Sequence, residues 1–314
     1  MMEINLLENL IKFNSGLFLG WLFLKLCLPF FNRFFADKPN KRSSHLVIKP
    51  RAGGIIFVLF SLLDILDKNK IGLYCLPLAI IGLLDDKYKL PSLLRYIVQF
   101  FTATYLIFNS NFFNLISENF FSTPLIILFI IASTGMINFV NFMDGIDGLV
   151  GGCIFVIFGT SLFFLNLEIN FLLGSIAGFL ILNWYPSKVF MGDVGSTFLG
   201  AFLVGILFQG NTFEQFLGLL TVSIPLMGDA IICVIRRFFY SENIFTPHKK
   251  HLYQRLVIAG WSHSKVSKLY ILGTLIISLV LILGGLKFAL ITAAVELIVG
   301  IWLDKKVAVH FLSV

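Results

Sequence analysis

Charge is what this sequence has least of. Only 13% of its 314 residues are Asp, Glu, Lys or Arg, while 58% are hydrophobic; a soluble domain carries about 25% charged residues. An ordinary soluble domain is thereby excluded. Cysteine is scarce too: Cys27, Cys75, Cys153 and Cys233 stand singly in apolar stretches. They lack CxxC metal spacing and read as buried small hydrophobes. There is no repeat or low-complexity tract. The first apolar segment is not expected to be a cleavable leader, because it opens with Glu3 and Glu8 rather than a basic region and offers no small-residue cleavage site. That segment is expected to stay in the mature chain.

What is present is apolar length. Searching for runs of about 17 to 25 residues, shorter where helices are tilted or buried, gives eleven candidate helices. They cover 5–31, 52–66, 70–84, 91–108, 122–140, 149–166, 169–183, 197–209, 213–236, 268–284 and 287–303; ten is the count if short ones merge. The expected fold is all-α, a single polytopic membrane domain over 1–314.

The formal charge of +7 does not indicate nucleic acid, because the cations segregate by loop. With eleven crossings, 19 of the 24 Lys and Arg fall in alternate loops on one side, and the opposite loops hold only Lys68, Lys70 and Lys287. Lys and Arg mark the cytoplasmic side, which puts the N-terminus outside and the C-terminus inside. All five histidines share the basic side.

That side also carries five polar clusters: "DKPNKRSSHLVIKPRAGG" (37–54), "GLLDDKYKLPSLLR" (82–95), "NFVNFMDGIDGL" (138–149), "NWYPSKVFMGDVGSTFLG" (183–200) and "PHKKHLYQRLVIAGW" (247–261). The expected active loops are about 32–51, 85–95, 138–148, 183–196 and 237–266. Asp85 and Asp86 point about 100° apart and can serve different partners. Asp144 and Asp147 share a face if their segment is helical. Asp193 sits in "GDVGS", where glycines allow tight turns and amides that cradle an anion.

Converging carboxylates repel unless a cation neutralises them, and Mg²⁺ takes one or two carboxylates plus substrate phosphates. Lys49, Arg51, His248, Lys249, Lys250, His251 and Arg255 supply groups for phosphate oxygens. Together this is equipment for phosphoryl transfer from a nucleotide, and the membrane setting suggests a lipid as the second substrate. Taken singly, each feature has a plainer reading as solvated charge; their joint order on one side carries the inference. Elsewhere, Lys25 is expected to snorkel, and Asp64 and Asp67 to pair locally with Lys68 and Lys70. Asp229 is open between a buried structural partner and a residue supporting the site. Glu296 reads as a packing feature.

These clusters resemble the polyprenyl-phosphate N-acetylhexosamine-1-phosphate transferases of glycosyltransferase family 4, over residues 37 to 261. The family includes phospho-MurNAc-pentapeptide translocase and undecaprenyl-phosphate GlcNAc-1-phosphate transferase. The resemblance implies a bacterial inner-membrane enzyme with its active site on the cytoplasmic face. Such an enzyme moves sugar 1-phosphate from a UDP-N-acetylhexosamine to undecaprenyl phosphate and releases UMP, with Mg²⁺, or Mn²⁺ as the alternative ion. By the same resemblance Asp193 is the metal aspartate, with Asn141 and Asp86 beside it. Asp85 and Asp86 form the aspartate pair, with their division of labour open. Asp144 and Asp147, catalytic residues together with that pair, lie near nucleotide and sugar, with Gly148, Leu149 and Phe190 around uracil, Asn138 among the substrate-binding residues, and Lys49 and Arg51 in the basic first loop.

The family's last loop carries further histidines where this chain has Tyr253 and Gln254. "HLYQRL" resembles instead the branch that initiates O-antigen or other surface polysaccharide, with the peptidoglycan translocase as alternative; His248, His251 and Arg255 keep the phosphate-binding logic. Two other classes are weighed. A CDP-alcohol phosphotransferase needs an Ala-Arg pair that "DGIDGLVGG" lacks, and a transporter needs polar groups along a path to the outer face. The oligomeric state is open, a homodimer included.

Overall fold

A computed structural model describes residues 2–37, 47–117, 122–244, 246 and 248–314. Half of the first polar cluster, residues 38–46 with His45, lies outside the described residues, as does Pro247 of the last.

The described chain is helical apart from a two-residue hairpin. Helix α1 (Met2–Phe34) is followed by β1 (Ala36–Asp37) and β2 (Lys49–Pro50), which pair antiparallel with Asp37 opposite Lys49. Then come α2 (Ile55–Leu63), α3 (Ile71–Tyr74), α4 (Leu76–Tyr88), α5 (Ser92–Phe108), α6 (Asn111–Ser117), α7 (Ser122–Met143) and α8 (Leu149–Phe164). The chain continues through α9 (Asn170–Asn183), α10 (Gly192–Leu207), α11 (Phe213–Val222), α12 (Ile224–Phe239), α13 (Leu252–Ile258), α14 (His263–Gly284) and α15 (Leu286–Lys306). Among the described residues, four helices are long and apolar enough to cross a membrane: α1, α7, α14 and α15. The α11–α12 pair makes a fifth candidate. This is an all-α membrane protein.

Two expected helices are broken, both just before a proline. The 70–84 segment divides at Cys75 ahead of Pro77. The 213–236 segment bends by 76° around Ser223, ahead of Pro225. Proline lacks the N–H that would continue the preceding turn. Two others start earlier than hydropathy suggests, α10 at Gly192 and α14 at His263, because their first turns are polar and carry site residues.

Close helix contacts rest on glycine. Helices α1 and α9 meet through Gly16, Gly174 and Gly178, where an added Cβ would strike the partner backbone, and Gly20, where it would be tight against Ser175; small residues at four-residue spacing let apolar helices approach in this way. A second such contact sets Gly54, at the start of α2, against Gly195 of α10.

Three helix N-termini are capped from a distance. Asp64 accepts the N–H groups of Phe171 and Leu172 at the start of α9, at 3.0 and 3.1 Å. Asp229 does the same for Leu252 and Tyr253 of α13, at 2.7 and 3.0 Å. Asp86 does so for α10, as described below. The first amides of a helix lack intrahelical acceptors, and a carboxylate there also meets the positive end of the dipole. The expectation of local pairing for Asp64 and Asp67 is therefore corrected: Asp64 is a cap, and Asp67 pairs with Lys12 of α1. Asp229 also accepts from the Tyr270 hydroxyl at 2.7 Å, which makes it a structural anchor.

Candidate active site

The arrangement begins with Asp86. Its carboxylate accepts from the backbone N–H of Asp193 at 2.9 Å and of Val194 at 3.1 Å, the second and third residues of α10. Met191, in the N-cap position, has no side-chain acceptor to offer, so the aspartate comes from α4. The approach needs Gly192, which has φ +72° and whose missing Cβ leaves room for Asp86 Oδ2. One residue from each of two distant motifs is thus locked to the other.

Beside that cap, the carboxyls of Asp85 and Asp193 lie against each other. One guanidinium nitrogen of Arg95 reaches both, at 3.1 Å to Asp85 and 3.3 Å to Asp193. Asp85 also accepts the Leu90 N–H at 2.6 Å. Arg95 was not among the residues singled out from the sequence. Its signal was weak, one arginine at the end of the polar cluster 82–95, and only the fold turns it toward the aspartates.

Segment 49–54 enters from the other side, as the two strand residues of β2 followed by a turn through Ala52 at φ +68°. Phe190 N–H donates to the Pro50 carbonyl at 2.9 Å and Gly53 N–H to that of Phe190 at 3.0 Å. Arg51, tied to Asp37 at 2.9 Å, lies close enough to Asp86, Asp193 and Asp144 to stabilise their charges. Burial pushes the Asp144 carboxyl up to about 7 against the pull of Arg51, with Asp86 and Asp147 adding repulsion.

Asp147 sits differently. Its oxygens accept the Ser187 N–H at 3.0 Å and hydroxyl at 2.8 Å, and Lys49 Nζ is 3.6 Å away. Burial opposes its charge, but His263, Ser187 and Lys49 outweigh it and hold the carboxyl at about 2. Lys49 also donates to the Ser187 hydroxyl and lies 5.1 Å from the Phe190 ring centre. Gly148 takes φ +77° under the Trp184 ring and donates its N–H to Asn183, and Leu149 is buried next to it. Gly148 and Leu149 follow Asp147 directly in the chain, and Phe190 is linked to it through Lys49.

The asparagines divide. Asn141 accepts the Ser196 hydroxyl at 2.9 Å, one turn into α10 from Asp193. Asn138 lies a turn further along α7 and donates to Gln99 at 2.7 Å, a helix-to-helix contact rather than a group turned to the carboxylates.

The last loop is drawn in by Tyr253, whose hydroxyl donates to the Phe142 carbonyl at 3.0 Å and fills the space above Gly145. His248 and His251 have ring centres 4.9 Å apart, and His251 is 6.3 Å from Phe142. Burial, with His251 and Arg237 nearby, drives His248 down to about 3, a neutral imidazole. Cys233 adds a third metal-type ligand atom within 4.8 Å of both. However, His248 Nδ1 already accepts from Lys250 N–H, which leaves its other nitrogen protonated in the neutral ring. Arg236, Arg237 and Arg255 stand around the thiol, which disfavours a further cation. Arg255 departs from its expected phosphate role: its guanidinium is engaged by Lys250 O, Val309 O and Asp304, and pins the C-terminal tail.

The glycosyl transferase family 4 model matches residues 70–211, from α3 through α10. Among related proteins, the probable undecaprenyl-phosphate N-acetylglucosaminyl 1-phosphate transferase of Bacillus subtilis is 28% identical, over 76% of this chain and 74% of its own. The undecaprenyl-phosphate alpha-N-acetylglucosaminyl 1-phosphate transferases of Thermotoga maritima and Escherichia coli K12 are 32% and 30% identical, over 69% and 88% of this chain and 71% and 84% of their own. A shared sequence of that extent, centred on the helices that converge at Asp86 and Asp193, places the chain in glycosyl transferase family 4, among the polyprenyl-phosphate N-acetylhexosamine-1-phosphate transferases.

Proposed function

We propose that this protein transfers N-acetylhexosamine 1-phosphate from a UDP-sugar to undecaprenyl phosphate and releases UMP, at the cytoplasmic face of a bacterial inner membrane. The observation that carries the reading is the meeting of Asp85, Asp86, Asp144 and Asp193 with Arg51 and Arg95. The names of the relatives support the acceptor and the transferred group. The Lys and Arg asymmetry supports eleven crossings with the N-terminus outside.

The carboxylates suit Mg²⁺, which prefers oxygen donors. Asp85 and Asp193 lie in contact and share the Arg95 guanidinium; with Arg51 also near Asp193, the four carboxylates of the site still outnumber the two arginines around Asp85 and Asp193. Those two aspartates would hold the ion, with Asp86 and Asn141 behind them; Asp86 is partly spent on the α10 amides. An ion held there would supply positive charge for the diphosphate and for the UMP leaving group.

The residues divide the remaining work. Asp86 aims the first turn of α10 at the site. Arg51 stands where the phosphates must pass and complements their charge. Lys49, Phe190, Gly148 and Asp147 form the nucleotide end, with Lys49 free to move from Asp147 to a phosphate. An oxygen of the lipid phosphate, largely ionised near neutral pH, attacks the β-phosphorus directly as the bond to the UMP oxygen breaks. No protein group has to become covalently phosphorylated. The "HLYQRL" form favours the branch that starts surface polysaccharide.

The test combines purified protein, radiolabelled UDP-N-acetylhexosamines and undecaprenyl phosphate, with and without Mg²⁺. Chloroform-soluble label that requires both the lipid and the ion is expected. Its absence with UDP-GlcNAc, UDP-GalNAc and their 6-deoxy relatives would refute the proposal, and label trapped on the protein by UDP-sugar alone would refute the one-step route.

A further inference from the structure

Asp147 is gripped from a second direction, by the first turns of α14. Ser267 donates its hydroxyl to the Asp147 backbone carbonyl at 2.8 Å. His263, four residues earlier and so on the same helix face, brings Nδ1 to 3.7 Å from Asp147 Oδ2. The imidazole is 11% exposed, rests 5.4 Å from the Tyr185 ring centre, and its buried Nδ1 has no hydrogen-bond partner. A buried polar atom without a partner is costly, and here it stops less than 1 Å beyond hydrogen-bonding range of a carboxylate. Lys49 stands at 3.6 Å from the same oxygen. Asp147 Oδ2 thus faces two basic groups, and neither is yet in hydrogen-bond contact.

We infer that His263 is a positioning residue for the nucleotide end of the site, acting through Asp147. When a diphosphate enters, Lys49 is the flexible cation beside Asp147 and turns to the phosphate. Asp147 then loses the ammonium at 3.6 Å. A small movement of His263 replaces it with an Nδ1–H donor, and the carboxylate stays ionised and aimed. Ser187 holds the opposite edge throughout. No bond is made or broken; a hydrogen bond takes over from an ion pair. The inference rests on the reading above, in which Asp147 faces the donor nucleotide.

His263→Asn keeps a donor where the imidazole has Nδ1, whereas His263→Gln carries its amide one bond further out and His263→Leu has none. For each variant, KM for UDP-GlcNAc and kcat are measured at saturating undecaprenyl phosphate, and UDP binding is measured by calorimetry. Loss of a hydrogen bond to a charged group predicts that KM and the UDP Kd rise about five- to twentyfold in His263→Leu and His263→Gln, with kcat held within about threefold. His263→Asn is expected to stay near wild type. Equal damage in Asn and Gln, unchanged KM and Kd in Gln and Leu, or a fall in kcat at constant KM each overturns the assignment. Should His263→Leu fail to fold, the Asn and Gln pair still decides. If the wild type makes no labelled lipid, the transfer reading fails first, and the UDP Kd series then judges His263 separately.

Discussion

Asp86 and Asp193, 107 positions apart in the chain, are joined by a 2.9 Å hydrogen bond from the backbone N–H of one to the carboxylate of the other. The bond fixes where α10 begins and therefore where the Asp193 side chain points. Asp86→Asn keeps one oxygen but loses the charge and the second acceptor. It is expected to lower thermal stability by about 0.5–2 kcal/mol, as other cap losses do, and to cut transfer far more than that. Gly192→Ala attacks the same joint from the other side, through positive φ and the missing room for Asp86 Oδ2. Melting temperature and initial rate, measured together, test both; a fully active Asp86→Asn enzyme would remove the joint from the mechanism.

Arg95 bridges two touching carboxylates and is their nearest shared cation. Replacing it with Met leaves Asp85 and Asp193 facing each other with less neutralisation. Transfer is expected to fall by about one to two orders of magnitude, the range of a lost charge-assisted contact, with Arg95→Lys intermediate. Rates measured across a Mg²⁺ titration separate a binding defect from a chemical one. Equal rates for wild type and Arg95→Met would leave Arg95 as surface decoration.

Asp144 and Asp147 respond to pH in opposite senses. Asp147, held at about 2, lies below its unfolded value of about 3.9. Its contribution to stability is present above about pH 4 and is lost as pH falls toward 2. Asp144, raised to about 7, costs stability as pH climbs from about 4 to 7, when the buried carboxyl must ionise. Asp144→Asn should therefore stabilise the metal-free protein at pH 8 and leave it unchanged at pH 4. Asp144 is near enough to Asp86 for their charges to interact, so its protonation removes a negative charge beside the residues proposed to hold Mg²⁺; Mg²⁺ affinity should weaken below about pH 7, and less steeply in Asp144→Asn. Melting curves and calorimetry at several pH values read both effects; a pH-independent Mg²⁺ affinity in wild type contradicts the second.

Arg255 is predicted to matter for folding rather than for substrate. Its bonds run to Asp304 and the tail carbonyls, so Arg255→Ala should lower the melting temperature by several degrees and keep KM for UDP-sugar within about twofold. A large KM change at unaltered stability would restore the phosphate-binding role expected from the sequence.

Much of this was legible before any coordinates. Hydropathy located the apolar segments because apolar runs are a local property, but among the described residues only four or five of the helices are membrane-length, and several boundaries shift at prolines and at polar first turns. The motif aspartates were visible because carboxylates are rare in such a chain. Asp64 and Asp229 were harder. A capping aspartate and a catalytic one are the same residue in the same apolar setting, and only the backbone amides in front of each tell them apart. Arg95 and His263 were missed for a related reason. Each stands alone in sequence, and each meets its partner through helices that pack far along the chain.

The residue string by itself determined that this chain is a helical membrane protein with acidic and basic groups set in loops between apolar helices, because apolar length and charge patterning are local, additive properties. Tertiary structure alone decided which carboxylate caps a helix, which pair shares a guanidinium, and which histidine faces Asp147. Those outcomes depend on distances of about 3 to 4 Å between residues some 100 positions apart, and such distances exist only once glycine-lined helices have closed on one another.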